Sequence, residues 1–306
     1  MSNVPDLSVR IGRTVLKNPV IAASGTFGFG RELADTFDLS MLGGISSKGI
    51  TPEPRRGNPP PRVAETASGM LNSVGLQNPG FERFLEVELP YMLSLGTTVI
   101  VNIAGNTAED YQSMCRRLDE TRVDVIELNL SCPNVKEGCM AFGSTSEGVR
   151  QLVRSVRPLT SKPLWVKLTP NTLDIRETAM AAESAGADAV SLVNTLLGMA
   201  IDIRTRRPIL RNNTGGLSGP AIKPVALRMV HEAYHAVGIP IVGMGGIMTW
   251  EDAVEFLLAG ASAVQAGTAS LVNPTACNDI IIGLAEYAEE AQLERISSLT
   301  GALKLW

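Results

Sequence analysis

Val125-Ile-Glu-Leu-Asn129-Leu-Ser-Cys132-Pro-Asn134-Val-Lys-Glu-Gly-Cys139-Met-Ala-Phe-Gly143 is a strand that runs into a loop. The run 123–130 is apolar, with β-branched residues set against a few polar ones, which is the pattern of a buried strand. It breaks at Ser131-Cys132-Pro133-Asn134, where proline stops strand pairing and asparagine tolerates turn geometry. A glycine-containing loop of about ten residues follows, longer than the usual strand-to-helix connection and of the length of an active-site flap. A thiol at a strand end beside two carboxamides, Asn129 and Asn134, suits chemistry on a small polar ring. Equally, Cys132 reads as a buried small hydrophobe, the common fate of a lone cysteine. The stretch alone leaves both readings open.

The same unit recurs along the chain. Strand-like runs occupy 19–23, 44–48, 98–103, 123–130, 164–168, 189–193, 239–243 and 263–266. Amphipathic helical patterns lie between them at 107–121, 147–159, 175–185, 221–236 and 250–258. Continuous apolar runs, rather than alternation, belong to strands buried on both faces, as in a parallel sheet covered by helices. Eight is the number of strands that closes a (β/α)8 TIM barrel; an open doubly wound sheet is the competing arrangement. No linker, repeat or low-complexity segment divides the chain, so residues 1–306 are expected to form one barrel domain with extended loops at its C-terminal face.

Composition removes several classes of function. Lysine and arginine number 27 against 31 acidic residues, a net charge of −4, and no segment concentrates the basic ones. Nucleic acid is therefore a poor partner. No run of ~18 apolar residues suggests a membrane span, and no signal peptide is visible, so a cytoplasmic protein is expected. The four cysteines lack Cys-x-x-Cys spacing and read as free thiols in a reducing compartment; they build no local iron–sulfur or zinc site.

Two connections are too long for plain barrel turns: 50–76, which contains Thr51-Pro-Glu-Pro-Arg-Arg-Gly-Asn-Pro-Pro-Pro-Arg62, and 194–220, which contains Arg207-Pro208 and Thr214-Gly215-Gly216. Both follow strand C-termini, the barrel face on which active sites are built, and are expected to cover a ligand. The strand ends on that face are polar or glycine: Ser24-Gly25, Lys48-Gly49, Asn102, Asn129, Lys167, Asn194-Thr195, Gly245-Gly246 and Gly267-Thr268. Glycines after the seventh and eighth strands suit phosphate, because backbone N–H groups can then approach an anion closely. No Gly-x-Gly-x-x-Gly or Walker-type segment is present, which argues against a dinucleotide or nucleoside triphosphate. Lys167 is open to three readings: a cation beside the N1 edge of a flavin, a Schiff-base lysine of a lyase or aldolase, or a salt-bridged rim lysine. Lys48 is similarly ambiguous.

Longer motifs carry a resemblance. They are Ala23-Ser24-Gly25-Thr-Phe-Gly-Phe-Gly30, Gly57-Asn-Pro-Pro-Pro-Arg-Val-Ala-Glu-Thr66, Gly69-Met-Leu-Asn72-Ser-Val-Gly-Leu-Gln-Asn-Pro-Gly80, Glu127-Leu-Asn129-Leu-Ser-Cys132-Pro-Asn134, Val166-Lys167-Leu-Thr-Pro170, Asn194-Thr195, Thr214-Gly-Gly-Leu-Ser-Gly219-Pro220 and Gly243-Met-Gly-Gly246. Over essentially its whole length the chain resembles the catalytic subunit of class 1 dihydroorotate dehydrogenases, and around 57–66 and 72–80 it is most similar to class 1B. The resemblance implies an FMN-dependent oxidation of dihydroorotate to orotate in pyrimidine (UMP) biosynthesis. It implies FMN contacts from Ser24, Lys48, Gly49, Asn102, Asn129, Lys167, Val193, Gly219, Gly245, Gly246, Gly267 and Thr268. It implies substrate contacts from Lys48, Asn72, Ser73, Val74, Gly75, Leu76, Asn129, Asn134, Asn194 and Thr195, with Cys132 as the catalytic base. Class 1B also implies a homodimeric core joined to an iron–sulfur flavoprotein subunit in a heterotetramer. That subunit carries the FAD and the 2Fe–2S cluster and passes electrons to NAD; class 1A enzymes are homodimers that use fumarate.

The residue types suit that chemistry. A proton leaves C5 of dihydroorotate and a hydride leaves C6, so a general base must reach C5 on the face opposite the flavin. A thiolate serves if its pKa falls below ~8.5. Asparagine offers one acceptor and two donors, so Asn72, Asn129, Asn134 and Asn194 can match the carbonyl and N–H edges of a pyrimidine ring. Cys139 departs from the small residue expected in the flap and adds a second thiol to one loop; Cys115 and Cys277 fall in helical regions and read as packing. The runner-up within the same chemistry resembles the flavin domain of dihydropyrimidine dehydrogenase, which shares Glu-Leu-Asn-Leu-Ser-Cys-Pro but differs after the proline. A lyase with a Lys167 Schiff base is the alternative from another class.

Overall fold

The computed structural model describes residues 4–130 and 142–306. The eight expected runs form the strands Val20–Ala22, Gly44–Ser46, Thr98–Ile103, Val125–Asn129, Leu164–Lys167, Ala189–Leu192, Ile241–Met244 and Ala263–Ala266. They pair in parallel and in chain order, and the eighth closes onto the first with Val264 opposite Val20 and Ala266 opposite Ala22. The architecture is a (β/α)8 barrel. Every residue of the fourth, fifth, sixth, seventh and eighth strands is buried, which is why these runs lack alternation. The seventh strand begins at Ile241 rather than at 239, because Pro240 has no N–H for the ladder; its carbonyl still accepts from the Val190 N–H.

Helices Ala108–Asp119, Ser146–Val156, Ile175–Ser184, Lys223–Tyr234 and Trp250–Leu258 occupy the five expected positions. The first begins with a capping box, in which Thr107 Oγ1 accepts from the Asp110 N–H and the Asp110 carboxylate accepts from the Thr107 N–H. The second stops at Val156 and tightens into a 3-10 turn, Arg157–Leu159, where Pro158 removes a backbone donor. A further helix, Ala276–Glu290, packs against Trp250–Leu258.

The long connections are more ordered than their turn-rich sequences suggest. Val63–Thr66, Gly69–Asn72, Gly215–Ser218 and Leu196–Gly198 form one antiparallel sheet, in which Asn72 lies opposite Gly216 and Met70 opposite Ser218. The two connections therefore hold each other over the barrel mouth. Glycine is required at 216, where a Cβ would collide with the Thr195 hydroxyl. At the opposite end, the hairpin Val9–Ile11 with Thr14–Leu16 packs beside the starts of the fifth and sixth strands, with Arg13 donating to the Ser161 carbonyl at 2.8 Å.

Cys115 and Cys277 are fully buried under these helices, and burial pushes their thiols up to about 12 and about 11. A neutral, enclosed thiol is a poor nucleophile. In the folded protein, at most two of the four cysteines are expected to react quickly with an aromatic disulfide reagent; the remaining two should appear only in denaturant. Rapid reaction of three or four would contradict the packing of these two side chains.

Candidate active site

Between the C-terminal ends of the strands and the four-stranded sheet lies a cavity of about 440 Å³, a size typical of small-molecule sites. Of the residues expected to form a site, Ser24, Lys48, Gly49, Asn72, Val74, Gly75, Leu76, Asn129, Lys167, Val193, Asn194, Thr195, Gly219, Gly245, Gly246, Gly267 and Thr268 line it. Ser73 and Asn102 stand back from the wall, buried. Cys132, Asn134 and Cys139 lie outside the described residues. Val63, Met70, Gln77, Ser218, Ile222, Met244, Gln265 and Leu271 also line it, beyond the residues expected from the sequence, together with Ala23, Gly25, Thr26 and Gly216.

The segment 72–76 reaches the cavity because its backbone is fastened from behind. Asn58 donates to the Ser73 carbonyl at 2.8 Å, and its own N–H bonds the Val74 carbonyl at 2.9 Å. Leu76 sits at φ 53°, a left-handed conformation that costs a residue with a Cβ ~1–2 kcal/mol. Asn78 holds it there, donating to the Leu76 carbonyl at 2.7 Å and to Thr51 Oγ1 at 2.8 Å.

Beneath the cavity the barrel interior carries a polar layer. TIM-barrel interiors are layered, each layer drawn from alternate strands and filled chiefly by branched apolar residues. Here the second, fourth, sixth and eighth strands supply Ser46, Glu127, Ser191 and Gln265, all buried to within 1% of exposure. Glu127 is the hub. Its Oε1 accepts from Ser191 Oγ at 2.6 Å and Gln265 Nε2 at 3.2 Å; its Oε2 accepts from Asn102 Nδ2 at 2.6 Å and Ser46 Oγ at 3.4 Å. The far end of Asn102 accepts from Asn129 Nδ2 at 3.2 Å, while the Asn129 backbone carbonyl is held by the Tyr111 hydroxyl at 2.8 Å. Asn102 is thus a support for Asn129 from below. Glu127 itself was hidden inside an apolar run, although a carboxylate there is the signal that could have found it: a buried charge must be compensated by partners.

Two lysines bring positive charge to the cavity. Burial lowers the pKa of Lys167 below the ordinary lysine value, and the charge of Glu127 opposes that shift. Lys167 has no hydrogen-bond partner for its ammonium among the described residues, so the charge is directed at whatever the cavity holds. Lys48 is also lowered by burial, with Glu32 opposing. On the far wall Gly246, at φ 85°, turns the chain tightly between elements: a Cβ there would lie 2.8 Å from the Gly219 carbonyl.

These features define a class, a (β/α)8 barrel with a ligand cavity built from its strand ends and roofed by its own two long connections. The chain belongs to the dihydroorotate dehydrogenase family, whose model matches residues 6–287. Among curated relatives, it is 53% identical over 298 residues to the protein of Alkaliphilus metalliredigens named dihydroorotate dehydrogenase B (NAD(+)), catalytic subunit, covering 97% of this chain and 99% of that one. A protein of the same name from Thermoanaerobacter pseudethanolicus is 54% identical over 300 residues, covering 98% and 99%. One from Bacteroides fragilis is 53% identical over 301 residues with the same coverage.

Proposed function

We propose that this chain is the catalytic subunit of an NAD-linked dihydroorotate dehydrogenase, oxidising dihydroorotate to orotate in pyrimidine biosynthesis with FMN in the cavity. The family membership carries the reading, and the relatives' shared name supports it over nearly the whole chain. The cavity suits a flavin on independent grounds. At Gly25 a Cβ would meet nothing within 4 Å, so the backbone is open to a ligand face; Gln265 Oε1 is a buried acceptor without a partner; and a buried cation, Lys167, stands ready for an electron-rich ring. FMN, held by Ser24, Lys48, Gly49, Asn129, Lys167, Val193, Gly219, Gly245, Gly246, Gly267 and Thr268, would supply the two-electron acceptor for the hydride leaving C6.

The chain's own residues do the rest. Lys48, Asn72 to Leu76, Asn129, Asn134, Asn194 and Thr195 bind and orient the substrate, the lysine facing its carboxylate and the carboxamides matching its carbonyl and N–H edges. Cys132 removes the C5 proton. Asn102, set behind the wall, acts through Asn129. Lys167 carries positive charge against the ring system that gains electrons. The polar layer under the cavity keeps these groups in register, and the two-connection sheet keeps bulk water from the floor.

The same reading makes residues 1–306 one working domain in the cytoplasm; one core cluster spanning Val9 to Leu299 supports the first part. It also requires a partner chain. The words "catalytic subunit" and "NAD(+)" in the relatives' names support a second subunit, which on the class 1B resemblance is an iron–sulfur flavoprotein that returns electrons to NAD. A pure, isolated chain that reduced NAD unaided would count against that partner.

The test is an anaerobic absorbance spectrum of the purified chain before and after adding dihydroorotate. Flavin bands should be present and should bleach on addition, with dihydrouracil, which carries the same hydride but no carboxylate, leaving them intact. A colourless chain that takes up no FMN, or a yellow one indifferent to dihydroorotate, would overturn the flavin or the substrate half of the reading respectively.

A further inference from the structure

The floor of the cavity contains a buried acceptor with nothing to accept. Gln265 is 1% exposed, lines the cavity, and its Oε1 has no hydrogen-bond partner. Buried polar atoms are paired in the great majority of cases, and each exception calls for a physical reason. The orientation is imposed rather than accidental. A carboxylate accepts and cannot donate, so Glu127 takes the N–H end of the Gln265 amide, at 3.2 Å. The carbonyl end must then point the other way. Ser191 Oγ donates to the same carboxylate oxygen at 2.6 Å, so that oxygen is occupied as an acceptor from two sides.

We propose that Gln265 is a further cofactor-contacting residue of this site, its carbonyl accepting a hydrogen bond from a donor group of the bound flavin. A flavin mononucleotide has two kinds of donor, the imide N–H of the ring and the hydroxyls of the ribityl chain, and either satisfies a lone carbonyl. Lys167 and Lys48 cannot recognise these donors, since an ammonium only donates. Gln265 thereby adds the complementary sense of recognition: the cations read acceptors, the glutamine reads a donor. The inference rests on the flavin reading above and extends it to a residue in the middle of a buried strand.

The experiment measures flavin affinity of the full-length chain after removal of bound flavin, by quenching of flavin fluorescence, for wild type and Gln265→Met. Methionine keeps the length and bulk but has no strong acceptor. FMN should bind the variant roughly three- to tenfold more weakly, the worth of one net hydrogen bond. Lumiflavin, which lacks the ribityl hydroxyls, and an N3-methylated flavin, which lacks the imide N–H, are then bound to both proteins. One of them should show no difference between wild type and variant, because the donor is already gone. A deficit below about threefold, or one undiminished with both analogues, overturns the proposal while leaving the flavin site intact. A wild-type chain that takes up no flavin overturns both. Should the methionine variant fail to fold, Gln265→Asn, which keeps the amide but withdraws it by one methylene, is held to the same thresholds.

Discussion

Cys132→Ala is expected to retain bound FMN yet slow its anaerobic bleaching by dihydroorotate by about 10²–10⁴-fold, the usual contribution of a positioned general base. The oxidation needs the C5 proton removed as the hydride leaves C6, and alanine has nothing to receive it. On the proposal that the Cys132 thiolate is the base, the wild-type rate should climb with pH until the thiol is ionised, and Cys132→Ser should carry its rise to higher pH. On the same proposal Cys139→Ala, seven residues further along the chain, should stay within about threefold of wild type, as a thiol that does not act as the base would. Stopped-flow traces across pH decide the matter. If the large loss and the changed pH limb follow Cys139 instead, the two thiols exchange roles.

Glu127→Leu is expected to destabilise the flavin-free fold by about 3–5 kcal/mol, because each buried donor left without an acceptor costs ~1–3 kcal/mol and only the serine hydroxyls can turn elsewhere. Four donors, from Ser46, Asn102, Ser191 and Gln265, would lose their acceptor, and the Lys167 ammonium would lose its compensating charge. Leucine matches the carboxylate poorly, because it fills the centre of the layer with nothing to receive an N–H. Glu127→Gln should cost less than half as much, as it keeps one acceptor and the shape. Urea unfolding gives both values from the midpoint shift. A leucine variant as stable as wild type would mean that the polar layer contributes no net stability.

Much of the site was legible in the chain because it is local. The lysines, asparagines and glycines of the cavity stand at the last residue of an apolar run or just past it, the level at which parallel strands open onto the C-terminal mouth. Ser24, Lys48, Asn129, Lys167 and Asn194 could be selected on that ground alone. Asn102 follows the same rule by position but sits one layer lower, since it precedes the last residue of the strand Thr98–Ile103 and pairs in register with Glu127. Ser73 shares the motif of Asn72, but its side chain is buried behind the wall rather than in the cavity. Glu127 and Gln265 are not legible in the chain, because each is a single polar residue within an apolar run and takes its meaning only from partners on other strands.

By itself the sequence determined the number and order of the barrel strands and the places of five helices between them, through the spacing of apolar runs, and the polar character of one end of the barrel. Both follow from properties of short segments: which residues avoid water and which turns stop a strand. Tertiary structure decided two further things. It joined the connections 50–76 and 194–220 into one sheet, because register between Asn72 and Gly216 depends on backbones separated by 144 positions in the chain. It also assembled Ser46, Glu127, Ser191 and Gln265 into one layer, because only closure of the barrel sets alternate strands at a common height, where four isolated polar residues become a single hydrogen-bonded unit.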